Sequence, residues 1–317
     1  MRNALSKLLL ATLTAGLILA LAVAPASAEH VQCGDTITQD TTLDSDIIDC
    51  APPVGRAIRI EGNGITLDLG GHTVDGTGVG FGIISAVLGS SVTVRGGHVR
   101  EFRTGVTLSG EDDMTVRDVT VSDNFRGVSI TGVRAVVEGV TATRNAVGIS
   151  FGNVTDAIVR RNEAFGNEFG MGGGVVISSL VEDNVSHDNL FSGMGFGFLR
   201  NNTRIVRNES TDNGDVGILV AEESLDSTLL GNHVRRSGVD GIFVSADSAN
   251  ITLDRNRAYD NADDGIDVDG PGNTLTRNSA FRNFDLGIEA VPGTIDGGKN
   301  KARHNGNPAQ CLNVSCK

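Results

Sequence analysis

The chain has no tryptophan, a single tyrosine and an aromatic content of 4%. A helix-rich globule organised around an aromatic core is a poor match for that composition. Positive charge is scarce as well: 26 Lys and Arg face 39 Asp and Glu, a formal net charge of −13. Nucleic acid and anionic membranes are therefore poor partners. Cysteine is absent from the whole middle of the chain, since all four lie at its ends, Cys33 and Cys50 early and Cys311 and Cys316 late. After Val23 no apolar stretch approaches the length that crosses a bilayer, so no membrane span is expected there. What is abundant is glycine, with 42 residues, together with Asn, Thr and Val. That mixture suits stacked strands joined by tight turns.

The first residues read as an export signal over 1–28. Arg2 and Lys7 supply a positive start, Leu8 to Val23 is apolar, and Ala26-Ser27-Ala28 fits a cleavage site before Glu29. The expected mature chain is secreted, and its even cysteine count suits an oxidising compartment. Four cysteines permit three connectivities; local pairing, Cys33 with Cys50 and Cys311 with Cys316, is the expectation, as a staple at each end. Zinc is the alternative, but no ligand stands at short spacing beside either pair.

From about Gly64 to Asn305 the chain repeats itself. A Gly followed by an aliphatic residue recurs at Gly82, Gly105, Gly127, Gly148, Gly170, Gly193, Gly217, Gly241, Gly265 and Gly287, a period of 21 to 24 residues. In phase with it run Asn pairs five apart: Asn162/Asn167, Asn184/Asn189, Asn208/Asn213, Asn256/Asn261, Asn278/Asn283 and Asn300/Asn305. One coil departs, with Asn232 paired to Ser237. Three residues before each first Asn is an aliphatic side chain, and two after it is usually a small one, Val234 being the bulkiest. Such a period accommodates three brief strands and their turns, and no long helix. About ten coils spaced about 4.8 Å apart would give a rod on the order of 50 Å long, with the aliphatic columns inward. An Asn column suits the turns, because Asn tolerates left-handed backbone and its amide can both donate to and accept from the amide one coil away. The closely spaced leucines of leucine-rich repeats are missing, and so is the six-residue period of left-handed β-helices.

The coil pattern Asn256-Arg257-Ala258-Tyr259-Asp260-Asn261-Ala262-Asp263-Asp264-Gly265-Ile266 resembles the right-handed parallel β-helix repeat family, the pectin lyase-like group. Cys33-Gly34-Asp35-Thr36-Ile37, Cys50 and Leu67-Asp68-Leu69-Gly70-Gly71-His72 are similar to the cap and first coil of secreted members. The resemblance implies an all-β solenoid with a cap over 29–63, coils over 64–305 and a C-terminal cap over 306–317. It implies function weakly, because the family includes polysaccharide lyases, glycosidases, uronate epimerases, copper-delivery proteins and members with no known chemistry.

The richest chemistry is in the last coils. Alignment on the Gly marker stacks Asp240 under Asp264, Asp263 beside Asp285, and Asp267 under Glu289, with Asp269 nearby. Carboxylates so placed repel unless a cation, a shared proton or full solvation relieves them. Asp264, Asp240 and Asp267 are the catalytic candidates; Asp263, Asp285, Glu289, Arg255 and Arg277 are candidates for contacting substrate; Asp267 and Glu289 are candidate ligands for calcium, the one cofactor considered. The Asn-Thr-Asp, Gly-His-Gly and Arg-Ile-Lys runs of polygalacturonases are missing. Lyases on uronate polymers use a basic residue near Ca²⁺, and Arg255, Arg257, Arg277 and Arg282 lie in the same coils. Against that, the position before the second Asn reads Asp212, Arg236, Asp260, Arg282, an alternation that serves stacking. His72 and His98 each follow a Gly-Gly pair and could form a copper site. The resulting expectation is a monomeric extracellular protein that binds a polysaccharide along one strand face. A noncatalytic rod and a uronate lyase or glycosidase are the alternatives, and whether the chain cleaves a polymer is left open.

Overall fold

The computed structural model describes residues 28–51, 55–85 and 91–317. The expected export signal, 1–28, lies outside the described residues apart from its last residue, Ala28. The described residues form short strands joined by turns, bends and irregular connections, with no helix among them, as a period too short for a crossover helix requires.

Each coil contributes a strand to a first sheet, then strands to two further ladders. In one coil these are Ile242–Val244, Thr252–Asp254 and Arg257–Tyr259. Every one of them pairs in parallel with its equivalent in the next coil: Ile242 with Ile266, Leu253 with Leu275, and Ala258 with Ala280. The long strands Val92–Arg100 and Thr115–Ser122 run through the corner and join the two ladders into one sheet of 22 strands. Coils thus advance through a right-handed parallel β-helix.

The first sheet has twelve coil strands in its main path, where the repeat marker predicts ten. The two extra coils carry Asp35–Ile37 and Arg56–Ile60, inside the stretch expected to be a cap. Their registers explain why the marker misses them. Ile58 pairs with Ile83, which puts Ala57 where later coils have Gly; Asp35 pairs with Ile58, which puts a carboxylate in the aliphatic slot. Both cysteine pairs form the expected bridges, Cys33–Cys50 and Cys311–Cys316.

Inward columns make the core. Ile218, Ile242, Ile266 and Ile288 stack on the first sheet, and Leu229, Leu253 and Leu275 on the second, all fully buried. At the corners the residue before the ladder Asn takes a left-handed conformation, as at Arg207, Arg255, Arg277, Asp212 and Asp260, and Arg236 does the same before Ser237. That backbone costs a non-glycine residue about 1–2 kcal/mol. Buried Asn ladders offset it. Asn162 Nδ2 donates to Asn184 Oδ1 at 2.9 Å and to the Val137 carbonyl at 2.9 Å, while the same Asn184 oxygen accepts the Asn162 N–H at 3.0 Å. The pattern continues through Asn208, Asn232, Asn256 and Asn278 to Asn300. Outside the ladders, charges alternate as expected: Arg282 forks onto Asp260 at 2.6 and 2.9 Å, and Arg236 onto Asp212.

Candidate functional site

The outward face of the first sheet changes character along the rod. Successive coils place Ser129, Ser150, Gly172, Gly195, Leu219, Phe243, Asp267 and Glu289 in one register column. Side chains at these positions point outward because their neighbours on either side in sequence are the core residues. Where the column is glycine, the face sinks into a depression of about 280 Å³ whose lining includes Phe169, Gly172, Ser192, Gly195 and Leu219. A Cβ built on Gly195 would meet nothing within 4 Å. The rim carries two exposed, stacked rings, Phe169 and Phe191, with centroids 4.9 Å apart.

Towards the C-terminal end the same column becomes acidic, and a second column reinforces it. The residue before the Gly marker is Asp240, then Asp264, then Leu286. Asp240 Oδ1 accepts the Asp264 N–H at 3.0 Å, and Asp264 Oδ1 accepts the Leu286 N–H at 2.6 Å. These two carboxylates are therefore part of the coil-to-coil bonding, and both are buried. Carboxylate oxygens of Asp240, Asp264 and Asp267 come within 4.8 Å of one another, as do those of Asp263, Asp264 and Asp285. Asp267 Oδ1 is buried without a hydrogen-bond partner.

Burial and mutual repulsion hold protons on this cluster. Desolvation first, then the neighbouring Asp263, Glu289 and Asp269, raise Asp240 to about 6 against the opposing Asp264 N–H bond. Burial and the facing Asp269 raise Asp267 to about 7. Asp264 rises too, from burial and from its hydrogen bond with Glu289. A carboxylate that keeps its proton near neutrality can act as an acid, and an unpartnered buried oxygen among three carboxylates also fits a hard cation with oxygen ligands.

The sequence-predicted acidic set, Asp240, Asp263, Asp264, Asp267, Asp285 and Glu289, is thus assembled as the Gly alignment implies. Arg255 and Arg277 are not brought to it. They sit at the corner between the two ladders of the second sheet, and both are tied to Asp254: Arg277 at 2.8 and 2.6 Å, Arg255 at 3.3 Å. The histidines are engaged elsewhere, His72 with Asp46 at 3.0 Å and His98 with Ser122 at 2.8 Å. Neither belongs to a metal-spaced group among the described residues. The glycine depression and its Phe rim went unread in the sequence, although the signal was there: Met171-Gly172-Gly173 and Met194-Gly195-Phe196 put glycine at the outward position where the neighbouring coils carry a side chain.

A family model described as right handed beta helix region matches residues 81–224 and 178–305. The chain belongs to that family. Among solved structures, the periplasmic alginate epimerase AlgG is similar at 18% identity and a TM-score of 0.63, over 89% of this chain and 73% of that one. The Dettilon tailspike protein gp208 is similar at 13% identity and a TM-score of 0.61; the match takes in 88% of this chain and only 61% of the tailspike. The A-module of the mannuronan C-5 epimerase AlgE4 from Azotobacter vinelandii is similar at 16% and 0.53, over 86% and 90%. At these identities the likeness is one of fold. No curated protein matches the sequence.

Proposed function

We propose that this protein is exported and binds an extracellular polysaccharide along the outward face of its first sheet, from the Phe169/Phe191 rim across the Gly172–Gly195 depression to the acidic coils. The observation that carries the reading is the single register column in which glycines, apolar side chains and then carboxylates follow one another. A sugar ring presents both an apolar face and hydroxyl groups, and the column offers a partner for each. Alginate epimerases share the fold, and the two terminal disulfides suit an oxidising compartment. Asp267 and Glu289, with Asp240 and Asp264, would hold Ca²⁺ between the polymer and the sheet.

Turnover of the bound polymer is the second reading, favoured by carboxylates that keep their protons near pH 7 beside an open face. A panel of neutral and uronate polysaccharides, with and without Ca²⁺, tests both readings when binding and unsaturated-product absorbance are followed together. Binding that strengthens with Ca²⁺ supports the first. Product that disappears in Asp264→Asn, while the coil remains folded, supports the second; equal turnover in that variant removes it. No binding to any polymer sinks both.

A further inference from the structure

After Lys7 the chain contains only three lysines, Lys299, Lys301 and Lys317. All three line one depression of about 350 Å³ on the second sheet at the last coil, together with Arg277, Ser279 and Asn300. Cations that stabilise the stack elsewhere are arginines forked onto aspartates, as at Arg144 on Asp123, Arg207 on Asp183 and Arg282 on Asp260. The lysines differ. Among the described residues none of them has a carboxylate within ion-pair distance. Two carboxylates lie close by in the fold and both are engaged: Asp254 by Arg277 and Arg255, and Asp296 by the Gly298 and Ser315 N–H groups and the Asn300 amide.

Strand register fixes which side chains meet there. Ser279 pairs with Arg257 on one side and Lys301 on the other, so a short hydroxyl forms the floor between two long cations. Lys299 occupies the left-handed corner position directly before the buried ladder residue Asn300. The Asn300 carbonyl in turn accepts the Lys317 N–H at 3.0 Å, and the Cys311–Cys316 bridge holds that tail against the coil. Three exposed lysines thus share one depression with no described carboxylate in ion-pair range to offset their charge, and lysine suits an anion of variable geometry because its charge is a point on a flexible stem.

We infer that this pocket binds an oxyanion: a carboxylate, sulfate or phosphate group, either free or carried on a polymer. The site is separate from the first-sheet face and does not depend on the polysaccharide reading. Isothermal titration of the full chain with inorganic sulfate, inorganic phosphate, an oligogalacturonate and a neutral dextran oligomer tests it. Wild type is expected to bind the anions and not the dextran through this pocket. Lys299→Ala/Lys301→Ala is expected to lose at least tenfold in affinity, and Lys299→Arg/Lys301→Arg to retain it, with circular dichroism and melting confirming that both variants fold. Sulfate that competes with the oligogalacturonate identifies a polymer-borne group as the ligand; sulfate or phosphate binding with no oligogalacturonate binding identifies the free ion. Failure of wild type to bind any of the anions, or equal affinity in the alanine variant, would overturn the inference.

Discussion

The one coil that breaks the second Asn ladder allows a quantitative test of how the stack is packed. In the other late coils an Asn lies three residues after a small side chain: Asn189 Nδ2 touches Ser186 Oγ at 3.1 Å, and Asn213 Nδ2 touches Ser210 Oγ at 3.0 Å. At the deviant coil Ser237 replaces the Asn and Val234 replaces the small residue. Both are buried, and the Ser237 hydroxyl has no hydrogen-bond partner. A Cβ on Gly217 would lie 2.2 Å from Val234 Cγ1 and 2.7 Å from Ser237 Oγ, which locates both side chains in the one space. The valine therefore fills the volume that the missing amide leaves. Val234→Ala alone empties that space and should cost about 2 kcal/mol. Ser237→Asn alone pushes an amide into the valine and should cost about 1–3 kcal/mol. The double variant restores the pattern of its neighbours, relieves the orphaned hydroxyl and lets the new amide join Asn213 and Asn261, so it should fall within about 1 kcal/mol of wild type. A double-mutant cycle by urea unfolding should thus give a coupling of about 3 kcal/mol. Additive costs, or a Ser237→Asn variant that is stabilised by itself, would refute the shared-volume argument.

Stability should fall as pH rises from about 4 to about 8. Asp240 and Asp267 have folded values raised to about 6 and about 7 above the ordinary 3.8, so the folded chain holds protons that the unfolded chain releases, and their contribution, complete below the ordinary value, is lost through that window. Asp240→Asn keeps an acceptor for the Asp264 N–H and should flatten the slope; a slope unchanged in the variant would contradict the assignment. The arginine-paired Asp123, Asp183, Asp212 and Asp260 shift downward, so their contribution is lost only as pH falls below about 4. Gly265→Ala should destabilise by several times RT or more, because its Cβ would lie 2.5 Å from Asn283 Nδ2 and 2.6 Å from the Gly287 carbonyl oxygen; an unchanged melting temperature would disprove that close approach. Ile242→Asp, which puts a charge into a fully buried column, should cost several kcal/mol in the same assay.

Fold was legible because a solenoid writes each contact into the sequence at a fixed interval. Asn162 meets Asn184 and Ile242 meets Ile266, so columns seen in the sequence are columns in space. The acidic cluster was legible for the same reason. The two N-terminal coils escaped because Ala57 and Asp35 occupy marker positions, where only backbone pairing reveals the register. A third corner ladder escaped too: Ser179 accepts the Ala157 N–H, Thr203 the Ser179 N–H, and Ser224 the Leu199 N–H. Its residues vary in type and spacing, so no single letter repeats. Arg255 and Arg277 share coils with the acidic residues, but sequence proximity within a coil says little about which side of the rod a side chain faces.

Binding of uronate and neutral polysaccharides to wild type and to Gly195→Leu, measured side by side by isothermal titration, decides whether polymer lies along the first-sheet face. Open space above Gly195 lets the larger side chain fill the depression without disturbing the coil. The expected result is an unchanged melting temperature and at least a tenfold loss of affinity for the polymer that wild type binds. Equal affinity in a folded Gly195→Leu variant would contradict it and remove the first-sheet face as the binding surface.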